Sequence, residues 1–293
     1  MSAAFPLEIC FVRKIMIALP SYSAQPHWRC AESIRATVEA GPAHGIEWQP
    51  VGALGVGVLP RVRNYLCARM LSDPAFEGLL FVDDDIGFHP DYAARIVSHG
   101  EQVVAGVAQK RMNQWNGPPE LNCAIEPFAP VDGRLLVRNT FAPTCFMWIA
   151  RSALITILEN RQLYDTGMVR HFIYGGLTDD DPAHPWMATF FSYGLASVRE
   201  GSREEKIAAQ WGVEDPCVDI GEDYDFTIKC EVAGIPVFLD AEVELQHYDG
   251  RTCYDWSLKK ALAAGSARIG PDPRAEAAPG EGSATLEEKK ETA

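Results

Sequence analysis

At 293 residues, 47% hydrophobic and 23% charged, the chain can bury one large core or two small ones without staples, and it is neither disordered nor collagen-like. Lys and Arg number 26 against 40 Asp and Glu, a formal charge of −14, which repels nucleic-acid backbones and anionic lipid except where a local basic patch overrides it. No apolar run approaches the roughly 20 residues of a bilayer span. Glu8 and Arg13 also break the opening segment where a signal peptide is uniformly apolar, so a soluble, unexported, cytoplasmic protein is expected.

The first strong element is Lys14 to Pro20, KIMIALP, a short apolar run that reads as a buried parallel strand feeding the loop Ser21-Tyr22-Ser23. Ala31, Ile34 and Val38 then fall at helical spacing within Trp28 to Ala40, and Gly41-Pro42 stops the pattern. A second strand, Ile46 to Val51, is followed by a glycine-rich link and a helix from Leu59 to Leu71 with Val62, Leu66 and Met70 on one face. Gly78 to Val82 is a third strand, His89-Pro90 opens a helix to about His99, and Gln102 to Val107 is a fourth strand. This βαβαβαβ succession predicts an α/β fold with a doubly wound, mostly parallel sheet whose ligand crevice lies at the carboxyl ends of the strands.

The remainder is less regular. Arg134 to Asn139 and Thr144 to Ala150 read as strands and Ser152 to Gln162 as a helix, while Tyr164 to Asp219 is rich in aromatic, Gly, Pro and acidic residues without steady periodicity, as in a functional loop or lid. Glu222 to Ala233 is helical with Gly234 as its stop, Pro236 to Leu239 is a short strand, Val243 to His247 follows, and a helix from about Trp256 to Ala264 closes the fold. From Gly265 onward the chain is small, polar and charged, a composition that predicts a disordered tail over 265–293. The eight cysteines (Cys10, Cys30, Cys67, Cys123, Cys145, Cys217, Cys230, Cys253) stand singly, without the spacing of a structural zinc site, and read as small buried apolar residues.

Asp83-Asp84-Asp85 ends the strand GLLFV. Alternation along a strand aims Asp83 and Asp85 one way and Asp84 the other, and two converging carboxylates call for a cation such as Mg²⁺ or Mn²⁺, which in turn holds phosphate oxygens. A solvated acidic turn is the alternative, and Asp179-Asp180-Asp181, with no strand before it, reads as an ordinary loop. Gly221-Glu222-Asp223-Tyr224-Asp225 opens a helix, where acids complement the helix dipole or supply a general base. His247 ends an apolar stretch and is either a core histidine or a further metal ligand. Arg61, Arg63 and Asn64 on one side and Lys110-Arg111 on the other would rim the same crevice, as cations suited to a diphosphate or as partners in surface ion pairs. Gly55-Val56-Gly57 lacks the third glycine of a dinucleotide fingerprint.

The succession KIMIALPSY, LPRVRNYLCARML, LLFVDDDIGFHPD, VVAGVAQKR, GEDYDFTIKCEVAGIPVFLD and LQHYDG resembles the nucleotide-sugar-dependent glycosyltransferases of GT-A fold, the family 2-like members in particular, over roughly Lys14 to Gly250. The resemblance implies one Rossmann-like domain over 1–264, with a nucleotide-sugar-binding half (14–111) and an acceptor-binding and catalytic half (112–264). It implies that Pro20 lines the nucleotide pocket and that Arg63 and Asn64 hold the donor or its acidic motif. Asp83 and Asp84 would contact the donor, Asp83, Asp85 and His247 would hold the Mn²⁺ or Mg²⁺, and Lys110 would sit near the donor phosphates. Asp223 matches the general base of inverting members, with Glu222 as its neighbour or alternative. The donor would be a UDP- or GDP-sugar and the acceptor a hydroxyl on a glycan, a small molecule or a modified DNA base. Trp186, Phe190, Phe191 and Tyr193 are an acceptor platform or else core packing. A sugar-1-phosphate nucleotidyltransferase and a non-catalytic nucleotide-sugar-binding module are the rival readings.

Overall fold

The structure, a computed structural model, describes residues 13–22, 25–54, 58–111, 120–123, 129–131, 134–160, 188–197, 217–250 and 252–264. Trp186, the triplet at 179–181 and the tail from 265 lie outside the described residues.

The first part of the chain alternates as its periodicity predicts: β1 (Arg13–Ser21), α1 (Trp28–Ala40), β2 (Ile46–Leu54), α2 (Leu59–Ser72), β3 (Phe76–Val82) and, after a two-residue strand β4 (Ile86–Gly87), α3 (Pro90–Ser98) and β5 (Val103–Ala105). α1 ends where Gly41-Pro42 tightens the chain into a 3₁₀ turn over Gly41–His44, and Gly45 leaves it at φ 67°, a left-handed position that glycine fills without strain. α3 begins with Pro90 in its first turn, and the His89 ring accepts a hydrogen bond from the Asp91 amide. The later elements are β6 (Ala129–Val131), β7 (Arg134–Arg138), β8 (Phe146–Ala150), α4 (Arg151–Glu159), β9 (Gly194–Ser197), β10 (Cys217–Ile220), α5 (Glu222–Val232), β11 (Val237–Asp240), β12 (Gln246–Asp249), β13 (Thr252–Tyr254) and α6 (Leu258–Ala263).

Eight strands form one sheet in the order β2-β1-β3-β8-β5-β11-β7-β6. β1 pairs in parallel with β2 and β3, and β5 with β11, whereas β8 runs antiparallel between β3 and β5, and β7 antiparallel between β11 and β6. The sheet is therefore mixed, with β7 and β8 reversed against the other six strands. The expected run of parallel strands is interrupted between β3 and β5 by a strand from later in the chain, so the sheet draws on both 14–111 and 112–264. Gly78 marks the close approach: a Cβ there would lie 2.4 Å from the Ile149 carbonyl oxygen and 2.4 Å from the Trp148 ring.

The central strands β1, β3, β5, β8 and β11 bury both faces. Met16, Ala18, Leu79, Phe81, Met147 and Ile149 pack under α2, α4, α5 and α6 through Leu66, Met70, Leu154, Phe226 and Leu258. Ile15, Ile17, Leu80, Val82, Phe146 and Trp148 pack under α1 and α3 through Cys30, Ile34, Ala93 and Val97. Helices thus cover both faces of the sheet, which explains why β1 and β3 read as near-continuous apolar runs. Among the described cysteines, Cys30, Cys67, Cys123, Cys145 and Cys230 are buried free thiols, and burial pushes those of Cys30 and Cys123 up to about 12. Among the described residues no helix is long and apolar enough to cross a membrane.

One buried ionic cluster ties α3 to the sheet. Asp240, fully buried at the end of β11, accepts from Arg95 Nε (2.7 Å) and Nη2 (3.3 Å), from the Glu242 amide (2.9 Å), and lies 2.7 Å from His99 Nε2. Burial alone would raise its pKa, but these partners hold it below the usual carboxylate range. Its charge therefore stabilises the fold above that range, and the contribution is lost as the pH falls through it toward the lowered native value. Asp240→Ala is expected to cost about 3 kcal/mol or more at neutral pH, read as a drop in the urea midpoint, and the gap to the wild type should narrow in acid.

Candidate active site

The chain leaves β1 toward β2 on one side and proceeds from β3 toward β5 on the other, so the carboxyl ends of β1 and β3 flank a topological switch point. A cleft of about 250 Å³ opens there, lined by Pro20, Ser21 and Tyr22 at the end of β1, Leu59 and Val62 on α2, Asp83, Asp84 and Asp85 after β3, and Arg111.

The three aspartates do not alternate as strand residues. β3 ends at Val82 and the Ile86 amide donates to the Asp83 carbonyl (3.1 Å), a tight turn that brings all three to the cleft lining. The reading of Asp83 and Asp85 on one face with Asp84 on the other is thereby corrected: strand periodicity stops where the turn starts. The turn's backbone is pinned from two elements: from the start of α1 the His27 amide donates to the Asp84 carbonyl (2.7 Å) and the Cys30 thiol to the Asp83 carbonyl (3.4 Å), and from β12 the Tyr248 amide donates to the Asp85 carbonyl (3.0 Å).

Each side chain has its own partner. Asp84 Oδ2 accepts from Ser21 Oγ at 2.6 Å, yet burial and its two acidic neighbours leave its pKa raised. Asp85 receives a hydrogen bond from Arg111 and stands 3.5 Å from His247 Nε2. Burial raises the Asp85 pKa, and His247 with Arg111 more than reverses this. His247 lies on β12, which pairs with β4 directly after the turn, with His247 opposite Ile86. The His247 Nδ1 is 2.7 Å from the Gln109 carbonyl oxygen, which can only accept, so Nδ1 carries the proton and Nε2 of the neutral ring accepts from Arg111 Nε at 2.9 Å. Burial opposes a charged ring, and Asp85 outweighs it, so the His247 pKa is raised.

Asp83 faces a different cation. Arg63, 1% exposed on α2, donates from Nη2 to Asp83 Oδ1 (2.9 Å) and from Nε to Glu222 Oε1 (3.5 Å), and its guanidinium carbon lies 5.1 Å from the centre of the Phe81 ring. Burial disfavours that charge and the two carboxylates outweigh it, so Arg63 stays protonated. Its Nη1 is the one buried side-chain nitrogen or oxygen among the described residues without a hydrogen-bond partner. Asp223, beside Glu222 in the first turn of α5, has a raised pKa through burial first and the charge of Glu222 second, only partly offset by the Tyr224 amide and Arg63. Arg63 thus links the acidic turn to the acidic start of α5.

Two expected donor-binding residues lie elsewhere. Asn64 is buried, its Oδ1 accepting from the amides of Phe190 and Phe191 (2.9 Å each) and its Nδ2 donating to the Phe191 carbonyl (2.8 Å), so its amide serves the backbone and not a ligand. Lys110 is exposed and pairs with Glu120 at 3.4 Å, while its neighbour Arg111 reaches the cleft. From α5, Asp225 accepts from the Ser192 amide and hydroxyl (2.8 Å each), and buried Lys229 donates to Asp225 (2.6 Å) and to the carbonyls of Thr189 and Phe190. The segment 189–192 is therefore clamped by α2 and α5 together. Phe190 and Phe191 are buried, with Phe191 stacked on Phe226 at 4.6 Å, which gives them to core packing; Tyr193 is 63% exposed beside Glu222 and Asp223.

Fold and site together define an α/β protein with a carboxylate-lined cleft at the carboxyl ends of parallel strands. No family model and no curated protein matches the chain. Among solved structures, one described as the crystal structure of A197 from STIV is similar over 85% of this chain and 91% of that one, at 12% sequence identity and a TM-score of 0.43.

Proposed function

We propose that the protein is a nucleotide-sugar-dependent glycosyltransferase of GT-A fold, moving a sugar from a UDP- or GDP-sugar to an acceptor hydroxyl with inversion. The observation that carries this reading is the meeting of Asp85 and His247, remote in sequence, at the mouth of β1 and β3, with the Glu222-Asp223 pair joined to the same turn through Arg63.

The residues fit a divalent ion in part. Asp85 Oδ2 and His247 Nε2 are 3.5 Å apart, close to the roughly 3 Å between adjacent ligands of an octahedral ion bound at about 2.1 Å, and the Gln109 carbonyl fixes the ring tautomer that ligation needs. Asp83, expected as a third ligand, is turned to Arg63, and among the described residues no three His, Cys, Asp or Glu side chains are grouped to hold a metal. Asp85 and His247 would therefore hold Mn²⁺ or Mg²⁺, with donor phosphates and water completing its shell, and the ion would neutralise charge on the departing diphosphate.

The chain's own residues supply the rest. Pro20, Ser21 and Tyr22 wall the donor side of the cleft. Arg63 holds Glu222 in place, and burial first, with the Glu222 charge second, raises the Asp223 pKa, as a base for the acceptor hydroxyl proton requires. The raised Asp223 pKa places the acidic limb of the rate profile above the ordinary aspartate range.

Incubation with Mn²⁺ and a panel of UDP- and GDP-sugars tests the reading. Release of nucleoside diphosphate from one donor is expected. Pyrophosphate release from a nucleoside triphosphate would transfer the assignment to the nucleotidyltransferase class, and tight donor binding with no release would make the protein a binding module.

A further inference from the structure

The Asp85–His247 pair already holds a cation, and that cation is part of the chain. The Arg111 guanidinium donates from Nε to His247 Nε2 at 2.9 Å and from Nη2 to Asp85 Oδ2, so both acceptors that a divalent ion would use point at one side chain. A guanidinium and a divalent ion cannot share these two atoms: the lone pairs are the same, and two like charges at contact distance repel. Arg111 is about half exposed and lines the cleft, so its side chain is free to leave the pair without leaving the site. Asp85 and His247 stay in place when it does, because their positions are set by the β4–β12 pairing and by the Tyr248 amide on the Asp85 carbonyl.

We infer that Arg111 and a divalent cation occupy the Asp85–His247 pair in turn, the guanidinium holding it at rest and swinging onto the donor's diphosphate when the metal enters. Arg111 is on this account a competitor for the two ligand atoms at rest and a diphosphate contact afterwards. The inference rests on the cleft being a nucleotide-diphosphate site, and it goes beyond that reading in making access of the metal to the Asp85–His247 pair depend on one side chain. It also accounts for the place of Arg111 at the site where Lys110 was expected.

Titration of the full chain with Mn²⁺ alone, followed by the electron paramagnetic resonance signal of the free ion, decides it. Arg111→Met removes the competing charge and adds no oxygen ligand, so its Mn²⁺ affinity should exceed that of the wild type by about tenfold or more. Arg111→Lys keeps a cation beside the pair and should remain close to the wild type. His247→Ala in the Arg111→Met background should abolish the gain, which ties it to this pair. Equal or weaker Mn²⁺ binding by Arg111→Met, or no Mn²⁺ binding by any variant, overturns the inference. A separate titration of the wild type with UDP and GDP, with and without Mn²⁺, tests the reading beneath it: absence of binding there sinks the nucleotide site itself, whatever Arg111 does to the metal alone.

Discussion

Asp223→Asn is expected to lower turnover by about 10² to 10⁴-fold while leaving nucleotide-sugar affinity unchanged. The substitution keeps the shape of the side chain and its contact with the Tyr224 amide, so α5 keeps its first turn. It removes the one property on which the proposed role depends, a carboxylate whose pKa is lifted by burial and by the charge of Glu222. Glu222→Gln is the informative companion. With that charge gone the Asp223 pKa falls, so the acidic limb of the rate profile should move to lower pH, whereas a Glu222 acting as the base would lose turnover at every pH. Turnover by Asp223→Asn equal to that of the wild type would remove Asp223 from the mechanism.

The second large effect concerns stability. Arg63→Met is expected to destabilise the fold by about 3–5 kcal/mol, because it leaves Asp83 and Glu222 without the buried cation that both face. Methionine fills much of the volume over Phe81, so the loss reports charge more than packing. Adding Glu222→Gln should restore part of it, since one of the two stranded charges is then gone. A loss below about 1 kcal/mol would mean that water compensates both carboxylates, as at exposed pairs. The urea midpoint reads both variants.

Much of the fold was legible in the sequence because β1, β2 and β3 alternate along the chain with α1 and α2, and because strands covered on both faces, β1 and β3 among them, carry apolar runs. The insertion of β8 was not. Thr144 to Ala150 reads as a strand, but periodicity names no partner, and nothing local says that Phe146–Ala150 runs antiparallel between β3 and β5. β4 has two residues and no period at all, and the β9–β10 pair sits in a stretch whose composition suggests only loop.

At the site, beside the ends of β1 and β3, Arg63 meets Asp83 and His247 meets Asp85. The misses are failures of parity. Lys110 and Arg111 are adjacent and both basic, and which one turns inward is decided by the path after β5, where Gln109 bridges to Leu121. Asn64 follows Arg63 directly, yet helical geometry turns it about 100° away, toward the segment at 190–191. Ser21, which holds Asp84, had a signal in its place at the end of β1 beside the acidic turn, but only knowledge that β1 and β3 are neighbours makes that signal readable.

The small β4–β12 ladder has a last consequence. It joins the aspartate turn to the histidine strand through main-chain hydrogen bonds, and main chain does not change when a side chain is exchanged. The distance between positions 85 and 247 is therefore a property of the frame rather than of the residues mounted on it. Chemical character at this mouth, from oxygen-rich to nitrogen- or sulfur-bearing, can be altered one residue at a time with the span between the two mounts preserved.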